Sequence, residues 1–307
     1  MKTSLYVLCI SLAISMTGMQ AAWAGPFPDT HPKAIQLYKA GIALKKNGQL
    51  EAARQRFAAA IKADSNFTAA YSELGDIYFA GRSYEEALRY GRKAQQLGAA
   101  TASRLIGFSC YYLRQYEEAL EALQQARIEE PANKDIPFQL AQLYAQLGNY
   151  SESIRFYEAV LKLDQKHSIS RFQAGLMYYN VGDYTSAAAS FEKAASLGYP
   201  QDALFFFNSG VTWIQLQQTE RGISDLRKAQ QLQSDDEMIL YNLAHACYQN
   251  NQFKEAATQW EHLLRLQPGN AFVMFMLGKS YMGMGEQEKG TTLCDKALAI
   301  GIDKEKL

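Results

Sequence analysis

Four histidines and four cysteines are the side chains of this 307-residue chain best suited to metal binding or nucleophilic attack. His31, His167, His245 and His262 form no H-E-x-x-H spacing, so no helix turn presents two imidazoles and a carboxylate to one metal ion. Cys9 follows Leu8 inside an apolar run, where a lipidated cysteine would follow a small residue. The other three, Cys110, Cys247 and Cys294, are odd in number and fit neither a disulfide framework nor a zinc site. Structural thiols in a core are the expectation for them. The stretch "LGKSY" at 277–281 ends like a phosphate-binding loop, but Val273 stands where its first glycine belongs and no strand precedes it. "NFT" (66–68) and "NYS" (149–151) are glycosylation sequons, relevant only in a eukaryotic secretory host. No enzymatic site and no cofactor are expected. Aromatic rings remain. "QDALFFFNSGVTW" at 201–213 sets Phe205, Phe206 and Phe207 side by side. On a helix they point about 100° apart, so one core-facing stripe cannot take all three.

The chain is 48% hydrophobic, ample for a core, and its formal net charge is +0. That balance gives no support for nucleic acid as a partner, which would favour clustered Lys and Arg. Only seven prolines occur, and no low-complexity tract. At the N-terminus, Lys2 precedes an apolar run from Leu5 to Met16, and Ala22-Trp23-Ala24 forms an A-x-A site before Gly25. The expectation is a signal peptide over 1–24, export to the periplasm or beyond, and a mature chain starting at Gly25. The alternative is an uncleaved anchor, since residues 3–28 carry no charge.

Internal periodicity decides the architecture. "YSELGDIYFAGRSYEEALRYGRKAQQL", "FQLAQLYAQLGNYSESIRFYEAVLKL" and "FQAGLMYYNVGDYTSAAASFEKAASL" align: a small residue, an aromatic three later, another six beyond, then Ala or Ser after three more. The pattern resembles the tetratricopeptide repeat family. Eight copies start at Ala34, Thr68, Ala100, Lys134, Ser168, Ala203, Glu237 and Ala271, spaced 34, 32, 34, 34, 35, 34 and 34 residues apart. Position 8 reads Gly41, Gly75, Gly107, Ala141, Gly175, Gly210, Ala244 and Gly278, all small. Position 27 is Ala in six copies, and Pro131 and Pro268 close repeats 3 and 7. After a lead over 25–33, the repeats fill 34–67, 68–99, 100–133, 134–167, 168–202, 203–236, 237–270 and 271–302. The resemblance implies an all-α, right-handed superhelical solenoid of antiparallel helix pairs, first helices on the concave side. No hairpin buries its apolar face alone, so neighbours must stack. Gly91 breaks the pattern at position 24, where a large apolar residue belongs, and predicts a local change of curvature before repeat 3. Leu293, Leu298 and Ile300 suggest self-association through the last repeat.

The resemblance also places side chains. Phe206 at position 4 is implied to be core. Phe207 at position 5 is implied to face the groove, with Tyr38, Arg104, Phe138, Phe172, Tyr241 and Phe275. Tyr179 and Tyr248 share groove-facing position 12, and His245 position 9. These rings either brace neighbouring first helices or line an apolar ligand groove. Repeats 1 to 3 are more charged, with Lys39, Lys45, Lys46, Glu73 and Asp76. The family's carboxylate clamp for chaperone tails needs Lys, Asn and Arg at set positions of three consecutive repeats, and none supply them. The expectation is a non-catalytic exported scaffold that grips a protein or peptide partner in a bacterial cell envelope. The alternative is an accessory protein of polysaccharide export, with its rings stacked on sugars.

Overall fold

The structure, a computed structural model, describes residues 31–301; the segment over 1–24 and its cleavage site lie outside the described residues. These residues form sixteen α-helices in eight consecutive pairs. The chain divides into two units, with the boundary between Gln165 and Lys166. The first holds α1 (Pro32–Lys46), α2 (Leu50–Ala63), α3 (Thr68–Ala80), α4 (Tyr84–Gln96), α5 (Ala102–Tyr112), α6 (Tyr116–Glu129), α7 (Asp135–Gln146) and α8 (Tyr150–Leu163). The second holds α9 (Ser168–Asn180), α10 (Tyr184–Ser196), α11 (Ala203–Gln215), α12 (Thr219–Leu232), α13 (Glu237–Gln249), α14 (Phe253–Leu266), α15 (Ala271–Gly283) and α16 (Gln287–Ile300). Within each unit the two helices of a pair pack together, and each pair stacks on the next. Among the described residues no helix is long and apolar enough to cross a membrane.

One backbone feature turns every pair. Gly48, Arg82, Arg114, Gly148, Gly182, Gln217, Asn251 and Gly285 all have positive φ. Their spacings, 34, 32, 34, 34, 35, 34 and 34, repeat those of the sequence period. A left-handed residue ends the first helix and reverses the chain within three or four residues. Four of the eight sites are not glycine; asparagine tolerates the left-handed region at Asn251, whereas it costs Arg82, Arg114 and Gln217 about 1–2 kcal/mol each.

Small residues set how closely a pair closes. A Cβ added to Gly41 would lie 2.6 Å from the Phe57 ring, and one on Gly175 would lie 2.7 Å from the Phe191 ring. The large position-24 ring of the second helix thus lies on the bare backbone of the first. Repeat 2 departs from this scheme, because Gly91 has no side chain to offer. Leu105 of α5 takes the place: a Cβ on Gly75 would lie 2.3 Å from Leu105 Cδ2, and one on Gly91 would lie 3.3 Å from the same atom. At Gly91 the next repeat plugs the gap, with Ile106 Cγ1 beside Leu105 at 3.2 Å from the same added Cβ. In α11–α12 a Cβ on Gly222 would lie 2.7 Å from the Gly210 carbonyl oxygen, and in α15–α16 a Cβ on Gly290 would lie 2.6 Å from that of Gly278. There backbone touches backbone. Asp183, Asp202, Asp236 and Asn270 cap α10, α11, α13 and α15 by accepting from the first-turn N–H groups. On α16, Leu298 and Ile300 are exposed.

Candidate functional site

In the first unit several charged residues pair across neighbouring repeats. Lys45 Nζ on α1 meets Glu73 Oε2 on α3 at 2.6 Å. Arg104 on α5 reaches Asp76 on α3 at 3.5 Å and Glu130, after α6, at 3.2 Å. All three partners are largely buried, so Arg104 ties α3, α5 and the α6–α7 connection together. It is a bracing residue, where the sequence suggested a ligand arm. Tyr38 packs on Phe57 and Phe67, with ring centroids 5.6 Å and 5.1 Å away. Burial, then the Glu73 and Asp76 carboxylates, push its hydroxyl up to about 12. Phe138 meets Tyr157 edge-on at 5.8 Å. Tyr38 and Phe138 therefore keep only part of their surface for a ligand.

In the second unit three expected groove rings are inside. Phe172 is 0% exposed, stacked on Tyr199 at 4.2 Å with Phe191 at 5.3 Å. Tyr179 is 7% and Phe207 8% exposed. Phe205 is buried too, whereas Phe206 is half-exposed, edge-on to Phe205 at 5.5 Å with the Lys228 ammonium 4.9 Å from its ring centroid. The expected roles of Phe206 and Phe207 are thus exchanged. Phe206 lies one turn before Gly210, where α11 and α12 touch backbone to backbone. That contact leaves no width for a phenyl ring between the helices, so Phe206 turns to the rim and Phe207 packs inward. For Phe172, Tyr179 and Phe207 the bracing alternative holds.

In the second unit the expected groove rings that stay partly open lie on α13 and α15. Tyr241, His245 and Tyr248 recur at i, i+4 and i+7, one face of α13, and Phe275 is half-exposed on α15. The His245 ring lies parallel to Tyr241 at 6.1 Å, and burial lowers its pKa. Tyr241 also meets Trp260 edge-on at 5.4 Å and lies nearly parallel to Phe272 at 5.9 Å. Tyr248 rests against Phe253 at 5.5 Å. Trp260 is fully buried, and its indole N–H has no hydrogen-bond partner.

Beside Tyr241 a cleft of about 580 Å³ opens where α13 and α15 begin and α14 ends. Tyr241, Phe272, Met238, Leu263 and Val273 give it apolar walls, and Asp236, Glu237, Gln267 and Asn270 supply the polar groups. Asp236 Oδ1 accepts from Met238 N–H at 2.9 Å and Ile239 N–H at 3.0 Å. Asn270 Nδ2 donates to Gln267 Oε1 at 2.6 Å, and Gln267 Nε2 donates in turn to Glu237 Oε2. Of the expected site residues only Tyr241 lines this cleft. Phe272 and Met238 went unnoticed in the sequence, although both hold position 2 of their repeats, which the family's clamp also uses.

The thiols of Cys110 and Cys247 are fully buried, and burial pushes both up to about 12; Cys294 is buried as well. Such thiols carry almost no thiolate near neutral pH. Among the described residues no three His, Cys, Asp or Glu side chains group closely enough for a metal ion.

Family models described as tetratricopeptide repeat match residues 38–102 and 172–237, 113–176, and 238–270. Among curated proteins, the peroxisomal targeting signal receptor of Candida albicans is 24% identical over 249 residues, 76% of this chain and 40% of its own length. Anaphase-promoting complex subunit 3 of Schizosaccharomyces pombe is 25% identical over 159 residues, 51% of this chain and 24% of its own. The chain thus spans less than half the length of the curated relatives it matches. Among solved structures, the C-terminal part of a TPR repeat-containing protein from Cytophaga hutchinsonii aligns with a TM-score of 0.63 at 17% identity, covering 78% of this chain and 99% of that one. YrrB aligns with a TM-score of 0.56 at 24% identity, covering 61% and 96%. PilF of Pseudomonas aeruginosa aligns at 0.56 and 17%, covering 66% and 92%. These likenesses are likenesses of fold: all-α solenoids of paired helices.

Proposed function

Because the chain belongs to the tetratricopeptide repeat family, whose fold serves as a protein-binding scaffold, we propose that it is a non-catalytic adaptor gripping a peptide segment of a partner on the first-helix face of α13 and α15. One observation carries this choice of face: Tyr241, His245, Tyr248 and Phe275 stay partly open on two neighbouring first helices and Tyr241 also lines a cleft, whereas Phe172, Tyr179 and Phe207 are closed into the core. Half-exposed rings already held by neighbours lose little freedom on binding, which makes them effective anchors. YrrB, similar in fold, is described as having an unusual peptide-binding site, which is in keeping with this reading.

A random peptide library displayed on phage and selected on the purified chain tests it. Peptides that bind are expected, and Tyr241→Ala, Tyr248→Ala and Phe275→Ala together should weaken them at least tenfold while the helical circular-dichroism signal persists. Failure to select any peptide, or peptides indifferent to the triple variant, would overturn the proposal. Retention on polysaccharide resin without peptide binding would favour the sugar-binding alternative.

We also propose export to a bacterial envelope, on the strength of the apolar run from Leu5 to Met16 and of Ala22-Trp23-Ala24. Mass spectrometry of the native protein should find Gly25 at the N-terminus. Retention of residues 1–24 would contradict it.

A further inference from the structure

We infer that the cleft at the start of α13 and α15 receives a cationic side chain of the partner, an arginine or lysine flanked by an apolar residue. The inference rests on the peptide-binding reading above and adds to it the chemistry of one anchor.

Charge decides first. Asp236 and Glu237 bring two carboxylates to the cleft, and no lysine or arginine lines it. Two helix N-termini oppose them, each worth about half a positive charge, and the α14 C-terminus brings about half a negative one, so the backbone offsets at most roughly one charge. Two formal negative charges against roughly one positive leave the site negative, so an anion is repelled and a cation attracted. The polar bonds agree. Asp236 uses Oδ1 for both capping bonds, and Glu237 accepts from Gln267 through Oε2. Asp236 Oδ2 and Glu237 Oε1 are left to accept from a ligand. Asn270 and Gln267 each commit one of their two amide N–H groups to the run that ends on Glu237, so the carboxylates are the charged groups the rim offers a ligand.

The walls then select a cation carried on an apolar stem. Tyr241 and Phe272 lie nearly parallel, 5.9 Å apart and 28° from coplanar, and both line the cleft. Ring faces attract ammonium and guanidinium groups. Met238, more than a third exposed, is a flexible partner for methylene groups. A volume of about 580 Å³ holds a long basic side chain and leaves room for an apolar neighbour against Leu263 and Val273.

The selected peptides supply the test. They should share an arginine or lysine beside an apolar residue. Replacing that cation by norleucine should cost at least tenfold in affinity. Asp236→Asn with Glu237→Gln removes both charges and keeps the α13 cap, since asparagine caps as aspartate does. This double variant should lose at least tenfold for the basic peptide and leave the norleucine peptide unchanged. Glu237→Gln alone, which touches no cap, should lose part of that. Acetyl-arginine amide at millimolar concentration should compete, and its neutral isostere acetyl-citrulline amide should not. Peptides that depend on Tyr241, Tyr248 and Phe275 but carry no cation, or that bind the charge variants undiminished, would overturn this inference and leave the peptide-binding proposal standing. Absence of any selected peptide would overturn both.

Discussion

Leu105 does two jobs at once. It lies over Gly75, where a position-24 side chain of the same repeat as that glycine would lie in other copies, and with Ile106 it fills the hollow that Gly91 leaves in α4. Leu105→Ala should therefore cost about 2–5 kcal/mol, toward the upper end because neither glycine can move in to fill the space. Chemical denaturation measures it, and a cost near that of a surface leucine would show the hollow to be filled otherwise. The three phenylalanines give a sharper contrast. Phe207→Ala should destabilise by about 3–5 kcal/mol, whereas Phe206→Ala, which loses mainly a rim contact with Phe205 and Lys228, should cost about 1 kcal/mol. Equal costs would mean that the rim ring is packed as tightly as the buried one. The family resemblance ordered these two the other way round. Their repeat positions were legible, but which one the core accepts depends on how closely α11 and α12 approach, and that depends on Gly210 and Gly222, one or more turns away. His245 adds a pH dependence. Burial lowers its pKa in the folded chain, so between that value and the ordinary value near 6.5 the unfolded chain takes up the proton first. Its contribution is then full above about pH 6.5 and is lost as the pH falls below it. His245→Gln should flatten that part of the stability profile, read as denaturation midpoints from pH 7.5 to 5. An unchanged slope would place the titration elsewhere.

The turns are where sequence and element agree most closely. Eight left-handed residues at the repeat interval follow from the period alone, and "GNY" and "GDY" announce two of them. The turns at Arg82, Arg114, Gln217 and Asn251 carried no such glycine signal. The helix pairing there came from the apolar pattern of the flanking segments, which outweighs one unfavourable turn residue. Arg82→Gly and Gln217→Gly should each stabilise by up to about 1 kcal/mol, the left-handed penalty less the entropy that glycine adds to the unfolded chain. A loss of stability in either variant would mean that its side chain holds the turn. The converse applies where helices touch along the backbone. Gly222→Ala would press a methyl group onto the Gly210 carbonyl and should destabilise by about 1–3 kcal/mol, whereas Gly81→Ala, whose nearest contacts are at 3.5 Å, should be tolerated. The aromatic row was legible as a row. Its division into buried and open rings was not, because it depends on the spacing of neighbouring first helices, which a one-dimensional pattern does not contain.

For the whole chain, the period revealed the number of helix pairs and their small-on-large packing, because every copy repeats the same steric problem. The cleft was not legible, since its walls come from three helices and its rim from two caps and a helix end. What the period cannot express is how firmly each pair holds. In a stacked array the pairs need not open together. The three thiols make that difference measurable without engineering. Cys110 on α5, Cys247 on α13 and Cys294 on α16 are each buried, and a thiol reagent reaches each one only when its own pair parts. Under native conditions with an alkylating agent in excess, Cys294, which is 8% exposed, should be modified first, and Cys110 and Cys247, both 0% exposed, more slowly. Peptide mass spectrometry over time resolves the three. Identical rates would show one cooperative opening. Separate rates would turn the three cysteines into clocks, each timing the fraying of a different stretch of one continuous chain.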